Sequence, residues 1–424
     1  MLLSSCSDFN VITSSKVTEK KNTNKSNSIK VDKSQNKDEI VLSPYYEELE
    51  LGYGFNTLTT ESQRRLYFDI IDNCTFITDE IDEDASRKSY YMEPFTLYEC
   101  TLSDLDIAHT RAAVFLDNPK IFWIDSYYTY SYSGSTFTLT MQSTMSQKTY
   151  EKRRKQLNAV VSDVLSGLED DMSEFERELY LHDYLVKNCK YIENADDSVD
   201  DDPYTAYGCL VEQKAVCEGY TKAFQLLLKC CGIPSVTIKG SVEESSVVDH
   251  IWNAVKIGGK WYHTDVTWDD TDDVNMYDCF NQTEEIFRKS HSFSPMLSES
   301  TEDELRDEDD TLIAFNIVIP KCTATKYNYY RYMGTELRDM QDNDIATDLS
   351  QAATLGETMF YIYVNPEYLD YDNVYYQLFS TDIYGFSDYI KSANSILGYD
   401  ALSLSSKVMS KKDLNTISVQ IQYN

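Results

Sequence analysis

The most restrictive stretch of this 424-residue chain lies between Ala206 and Asp270, where a helix signal is followed by a hairpin signal. Glu218-Gly219-Tyr220 precedes Ala223, Phe224, Leu226, Leu227 and Leu228, and Gly232-Ile233-Pro234 closes the run. An apolar run that ends in Gly with Pro beyond it reads as a buried helix with a stop. Ile251–Lys256 and Trp261–Val266 are strand-like, and Gly258-Gly259 between them is a two-residue hairpin turn. If that turn sets the register, Ile257 pairs with Lys260 and Trp252 faces Asp265. His250 then points to the same side as Trp252. Asp265 becomes its diagonal cross-strand neighbour, about 7–8 Å away by backbone and within side-chain reach.

The same elements carry three reactive residue types in order: Cys217, His250 and Asp265. Cys217 sits at the amino-terminus of the helix, where the partial positive charge and the N–H groups favour a thiolate. Those N–H groups can also donate to a developing oxyanion. Cys230 and Cys231, at the far end of the helix, feel the opposite field and are expected to be inert. An imidazole held by a carboxylate and facing such a thiol is an activated nucleophile. The second oxyanion donor is not legible; Gln213, four residues before the thiol, is a candidate. Trp252 and Trp268 read as site-wall and core residues. His263 shares the face of Asp265 and competes for it, whereas His109, His182 and His291 read as structural.

The stretch resembles the transglutaminase-like superfamily, whose core is circularly related to papain-like thiol proteases. V-C-E-G-Y-x-x-A-F, D-H-x-W-N-x-V and W-Y-H-x-D-x-T-W-D-D resemble its Cys, His and Asp blocks in order and spacing. The resemblance is specific over about 203–295, and Tyr277–His291 looks like the family's block after the triad. It implies an α+β core in which a helix bearing Cys packs on an antiparallel sheet bearing His and Asp. It further implies Cys217 as nucleophile, His250 as general base and acid, and Asp265 as orienter. Both peptide or glutamine-type amide hydrolysis and amine cross-linking proceed through the same thioester. Hydrolysis by a protease, peptidase or deamidase is the expectation, by analogy. A transglutaminase is the alternative, and a non-catalytic surface binding protein on the same fold is a third reading.

Composition narrows the rest. A net charge of −33 repels phosphate backbones, so nucleic acid is not an expected partner. No run approaches the roughly 18–20 apolar residues of a membrane helix. The ten cysteines contain no C-x-x-C pair, and no ligand cluster has metal spacing, so neither a metal nor a cofactor is expected. Leu3-Ser4-Ser5-Cys6 is similar to the lipobox of bacterial lipoproteins, although Met1-Leu2 leaves no apolar segment before it. Cys6 is therefore a candidate lipid attachment site, and residues 9–40, rich in Ser, Asn, Lys and Thr, read as a solvated tether. Together these suggest an extracellular protein held to the membrane by a lipid alone and acting on a peptide or protein substrate, with cell-wall peptide as a candidate.

Four regions are expected: the start and tether (1–40), an α+β amino-terminal domain (41–150), the catalytic core (151–298) and an α+β carboxy-terminal domain (299–424). In the first folded region, helices are expected at Thr59–Cys74 and Ser103–Leu116, a short strand at Ile121–Ile124, and a hairpin over Ser126–Thr144 about Ser133-Gly134. Lys148–Leu168 and the segment after the Ser173-x-x-Glu176 capping box are expected helices. Beyond residue 306, strands are expected at Leu312–Ile319, Thr358–Val364, Ala401–Leu404 and Ile417–Tyr423. Helices are expected there at Ile345–Ala353 and Phe386–Ala393.

Overall fold

The computed structural model describes residues 53–424 except 84, 86–87, 194, 196–201, 244–246, 271–276, 295, 298–314, 317–318, 342–343, 381–384 and 404–406. The proposed lipid site Cys6 and the tether lie outside the described residues. The folded chain divides into two compact units, Ser28–Thr323 and a second containing Ala324–Asn424. The expected amino-terminal domain and the core fall in one unit, and the second begins later than residue 299.

In the first unit, α1 (Glu61–Asn73) and α2 (Asp104–Asp117) both open on full capping boxes, Thr60 with Gln63 and Ser103 with Asp106. Each box satisfies two backbone donors that a helix start leaves open. A five-stranded antiparallel sheet follows: β1 (Ile77–Asp82), β2 (Ser89–Met92), β3 (Phe95–Leu97), β4 (Ile124–Ser133) and β5 (Thr136–Ser143). The long β4–β5 hairpin turns at Gly134, whose positive φ of 64° suits a residue without a side chain. The expected strand at Ile121–Ile124 is confined to Ile124, the first residue of β4. Phe122 and Trp123 are instead buried before it, and the Trp123 indole donates to the Cys74 carbonyl.

Helices α3 (Gln147–Ser166) and α4 (Glu174–Asn188) lead into α5 (Cys217–Cys230). From Gly219 to Cys230 α5 is buried on almost every side, so it forms the middle of the unit rather than a surface helix. Phe224, Leu226, Leu227 and Leu228 are 0% exposed. Each such side chain contributes roughly 1.5–3 kcal/mol by leaving water. Gly232 ends the helix with a positive φ of 69°, and the Ile233 N–H returns to the Leu228 carbonyl at 2.9 Å. That is the Schellman closure the Gly-Ile-Pro sequence suggests.

The polar groups of α5 are also used. Gln225 donates to the Leu116 carbonyl at 3.2 Å, and Lys229 donates to the Asp117 carbonyl. The Asp117 carboxylate accepts from the Gly54 and Phe55 N–H groups at 2.8 Å each and from the Tyr67 hydroxyl at 3.0 Å. The carboxy-terminal end of α2 is thereby fastened to the distal half of α5.

A four-stranded antiparallel sheet covers α5, built from β6 (Ser235–Glu243), β7 (Val247–Ile257), β8 (Lys260–Thr264) and β9 (His291–Ser294) in the order β8-β7-β6-β9. β7 and β8 pair as the Gly258-Gly259 turn predicts, with Ile257 opposite Lys260 and Asn253 opposite Thr264. Both turn glycines have positive φ, 57° and 75°. The core is thus mixed helix and antiparallel sheet, as expected.

The second unit has its own core. Its sheet runs β10 (Thr335–Leu337), β11 (Met359–Val364), β13 (Thr416–Gln420), β12 (Val408–Lys411), with only the β10–β11 pair parallel. Helices α6 (Asp344–Thr354), α7 (Tyr371–Phe379) and α8 (Phe386–Leu397) pack Ile345, Leu349, Val374 and Phe386 onto Phe360, Ile362 and Ile417 of the sheet. The expected α6, α8 and β11 are found. α7 and β12 are not anticipated by the sequence, because their apolar residues are spaced by Tyr, Asp and Ser. Of the expected strand at Leu312–Ile319, only Phe315–Asn316 is described as strand.

Candidate active site

Cys217 is the first residue of α5, and its amino-terminal neighbour Val216 offers no side-chain cap. The first helical bond runs from the Tyr220 N–H to the Val216 carbonyl, so the N–H groups of Cys217, Glu218 and Gly219 lie ahead of it. Gly219 is needed here: a Cβ would collide with the carbonyl oxygen of Pro203 and with Ala215. Close packing of the 203–205 segment fixes where the helix begins, and hence where the thiol sits. Cys217 is half-buried, whereas Cys74, Cys230 and Cys322 are buried, and burial pushes each of these thiols up to about 12.

His250 lies on β7 opposite Gly240 of β6. A Cβ on Gly240 would strike the Ser292 carbonyl and the Trp252 ring, so the glycine lets β9 and the indole close around the histidine. The His250 Nε2 stands 2.6 Å from Asp265 Oδ2. A carboxylate only accepts, so Nε2 carries a hydrogen, and Cys217 lies close enough to act on the same imidazole. Burial works against an imidazolium. The charge and hydrogen bond of Asp265, helped by Cys217, overcome it and hold His250 well above the ordinary histidine range. Burial likewise works against an ionised Asp265, and its contacts with His250 and His291 overcome it, keeping the carboxyl well below the usual range.

Asp265 was expected on the strand that starts at Trp261. The structure ends β8 at Thr264 and makes Asp265 the cap of a single turn, Val266–Asp269. Its Oδ1 accepts from the N–H groups of Thr267 and Trp268 at 3.0 and 3.2 Å. The pairing still brings it beside His250. A cap is the better holder, because two backbone donors fix one oxygen and free the other for imidazole.

The remaining sequence candidates fall differently. Gln213 is exposed and closes a turn in the left-handed conformation, φ 58°, with its carbonyl accepting from Lys190. Among the described residues no hydrogen bond joins its side chain to Cys217, His250 or Asp265. Trp252 is 1% exposed and lies nearly parallel to the His250 ring, 6.1 Å between centroids, so it is a floor beneath the imidazole rather than a wall of an open cleft. Half-buried Trp268 flanks His250 at 6.2 Å. His263 is turned away from Asp265: its Nδ1 accepts from the Trp252 indole at 3.2 Å, and it stacks on Phe287. Burial, with His291 and Arg288 adding to it, lowers His263 to about 3, so it stays neutral.

Two buried groups were not anticipated as part of this region. His291, expected to be merely structural, places Nε2 3.2 Å from the same Asp265 Oδ2. His182 of α4 meets Asp269 at 3.2 Å and Asp183 at 3.1 Å, four residues along the capped turn from Asp265. The Tyr220 hydroxyl of α5 donates to Asp270. The D-x-T-W-D-D block thus grips His250, His182 and α5 through three successive carboxylates. Only the first was legible, because the other two partners lie far away in sequence.

The ligating atoms of His250, Asp265 and His291 lie within 4.8 Å of one another. Two ligands of a tetrahedral ion at about 2.0 Å would stand about 3.3 Å apart. The 2.6 Å contact of His250 with Asp265 is shorter and has the length of a charge-assisted hydrogen bond. The cluster is a hydrogen-bonded relay.

Comparison with known proteins gives one family: the model of the Transglutaminase-like superfamily matches residues 159–266, which include Cys217, His250 and Asp265. Kyphoscoliosis peptidase of Mus musculus is 29% identical over 121 residues, 26% of this chain and 18% of that protein. Kyphoscoliosis peptidase of Homo sapiens is 27% identical over the same shares. The chain therefore spans under a fifth of the length of these curated relatives. A crystal structure of a TGase (14% identical, TM-score 0.25) overlaps 44% of this chain and 54% of its own. A proposed cysteine protease from Cytophaga hutchinsonii (12%, TM-score 0.23) overlaps 45% and 70%. Scores this low add nothing to the fold. Residues 159–266 of this chain are a transglutaminase-like superfamily domain.

Proposed function

We propose that the protein is a cysteine-dependent enzyme that acts on peptide or glutamine-type amides through a thioester, with hydrolysis as its outcome. The observation that supports this most is the buried His250 imidazole bonded to the Asp265 carboxylate, with Cys217 at the start of α5 close enough to act on it. In this reading His250 carries the proton and Cys217 is the thiolate. The sulfur attacks the amide carbon, the C–S bond forms, and the carbonyl electron pair moves to oxygen beside the first N–H groups of α5. Collapse of that intermediate breaks the C–N bond, and the His250 imidazolium gives its proton to the departing amine. Water then gives a proton to His250 as it attacks the thioester, and collapse returns acid, thiolate and imidazolium.

Hydrolysis is preferred because the curated relatives carry the name peptidase. The net charge of −33 favours cationic peptide segments as substrates. Attachment to a bacterial cell surface through Cys6 is part of the proposal and rests on the Leu3-Ser4-Ser5-Cys6 motif alone. The test is incubation with a basic peptide library and a glutamine-rich protein, with and without a primary amine, read by mass spectrometry. Cleaved or deamidated products that vanish in Cys217→Ser support hydrolysis, and amine-joined products would make cross-linking the outcome. No product under either condition would leave a binding protein on this fold.

A further inference from the structure

His291 has no part in the thiol–imidazole–carboxylate relay as usually drawn, and it lies outside the matched residues 159–266. Its position is nevertheless specific. It opens β9 opposite Val242 and is 2% exposed. Its ring is enclosed by Phe287 at 4.5 Å, Trp268 at 4.6 Å and Trp252 at 5.0 Å. Within that aromatic enclosure both ring nitrogens are used. Nε2 faces Asp265 Oδ2 at 3.2 Å and Nδ1 faces the Ser290 hydroxyl at 2.8 Å. The carboxylate can only accept, so Nε2 bears the hydrogen, and in the neutral ring Nδ1 accepts from Ser290. The tautomer is set from behind.

We infer that His291 is a positioning residue of the reaction: it donates permanently to the Asp265 oxygen that also holds His250. Asp265 is 1% exposed, and a buried carboxylate needs donors on both oxygens to stay ionised. Thr267 and Trp268 supply Oδ1, and His250 and His291 share Oδ2. The bond from His250 is the one that changes when its ring gives up a proton and takes one back. The bond from His291 does not change, so Oδ2 stays charged and aimed at His250 through both halves of the cycle. The charged and titratable groups around this pair are Cys217 on α5, His250 on β7, His263 on β8, and Arg288 in the segment before β9.

The sign of the effect follows. An N–H pointed at Asp265 is a positive dipole end, and removing it makes the site more negative. Protons are then held more tightly by Asp265, His250 and Cys217 alike, so the acid limb of thiol reactivity moves to higher pH. His291→Phe keeps an aromatic ring in the enclosure and deletes the donor, whereas His291→Gln restores an N–H near Nε2. The test is the pH dependence of Cys217 alkylation by iodoacetamide, read by peptide mass mapping on the full chain, with circular dichroism to confirm the fold. The expected result is an acid limb displaced upward by about half a unit or more in His291→Phe and returned toward wild type in His291→Gln. A folded His291→Phe whose profile overlays wild type would overturn the inference, since a packing role would change stability and leave the limb in place. Should His291→Phe not fold, Ser290→Ala decides, because it loosens the same tautomer: a smaller upward displacement supports the inference, and an unmoved limb overturns it. The inference rests on the proposed activation of Cys217 by His250. A wild-type Cys217 that alkylates no faster than Cys230 defeats that reading, whereas an active wild type with an unmoved His291→Phe defeats this one alone.

Discussion

Two buried histidine–aspartate pairs stand on either side of one helical turn, and only one of them ends at a thiol. His250–Asp265 and His182–Asp269 use carboxylates four residues apart, and all four side chains are largely or wholly buried. They differ in what else stands beside the ring. For His250 it is Cys217, a half-buried group that can exchange a proton. For His182 it is a second carboxylate, Asp183, on the other ring nitrogen, and the ring is enclosed by Phe280, Tyr277 and Phe224. Burial opposes charge on His182, but the two carboxylates overcome it and raise it to about 9. Asp269, fully buried, is raised to about 6 despite its bonds to His182 and to the Cys279 N–H. Both histidines are raised, so the pairs differ in what stands beside the ring, an exchangeable thiol or a second carboxylate, and not in how tightly the ring holds its proton. A histidine beside an aspartate does not by itself identify a catalytic base.

That contrast predicts a double dissociation. The largest effect belongs to the thiol pair: Cys217→Ser should lower amide turnover by about 10⁴-fold or more, with an unchanged melting temperature. The second pair should behave in reverse. His182→Ala leaves Asp269 buried without its partner and should cost roughly 3–5 kcal/mol in chemical denaturation. Its Cys217 labelling per folded molecule should stay within about threefold of wild type. A folded His182→Ala that loses Cys217 labelling as fully as His250→Ala does would erase the distinction between the pairs.

Stability should also fall with rising pH for a stated reason. His182 is raised above its unfolded value of 6.5, so its contribution is complete below that pH and is lost as pH rises through about 9. The melting temperature of the wild type should decline across this window, and the decline should be shallower in His182→Phe. A His182→Phe protein whose decline matches that of the wild type would mean that His182 is neutral in the fold. The smallest effect is Trp252→Phe, which removes the indole donor to His263 but keeps the floor beneath His250. It should cost about 1 kcal/mol and leave the alkylation profile in place.

The first pair was legible in sequence and the second was not, and the reason is chain distance. His250 and Asp265 are joined by a hairpin whose Gly258-Gly259 turn fixes the register, so alternation along two strands brings them together. Cys217 was legible from a helix start, again a local signal. His182 and Asp269 are 87 residues apart, and His291 and Asp265 are 26 apart with no tight turn between them. Nothing in local periodicity links such residues; packing of α4 on the capped turn and pairing of β9 with β6 create the contacts. β6 itself was missed because Thr237, Lys239, Gly240 and Ser241 dilute its apolar alternation, although Val236 and Ile238 are buried. Glu178 was equally hidden. Its helix periodicity does not announce a buried acid held by Asn281 at 2.6 Å and pushed by burial to about 8.

The central claim is that His250, held by Asp265, activates Cys217. The most direct test is iodoacetamide labelling of each cysteine across pH 5–9, read by peptide mass mapping in wild type and His250→Ala. The account predicts fast labelling of Cys217 already at pH 6, with Cys230 and Cys231 silent, and loss of that low-pH reactivity in His250→Ala. Labelling of Cys217 that begins only above pH 8 and is the same in both proteins would contradict it.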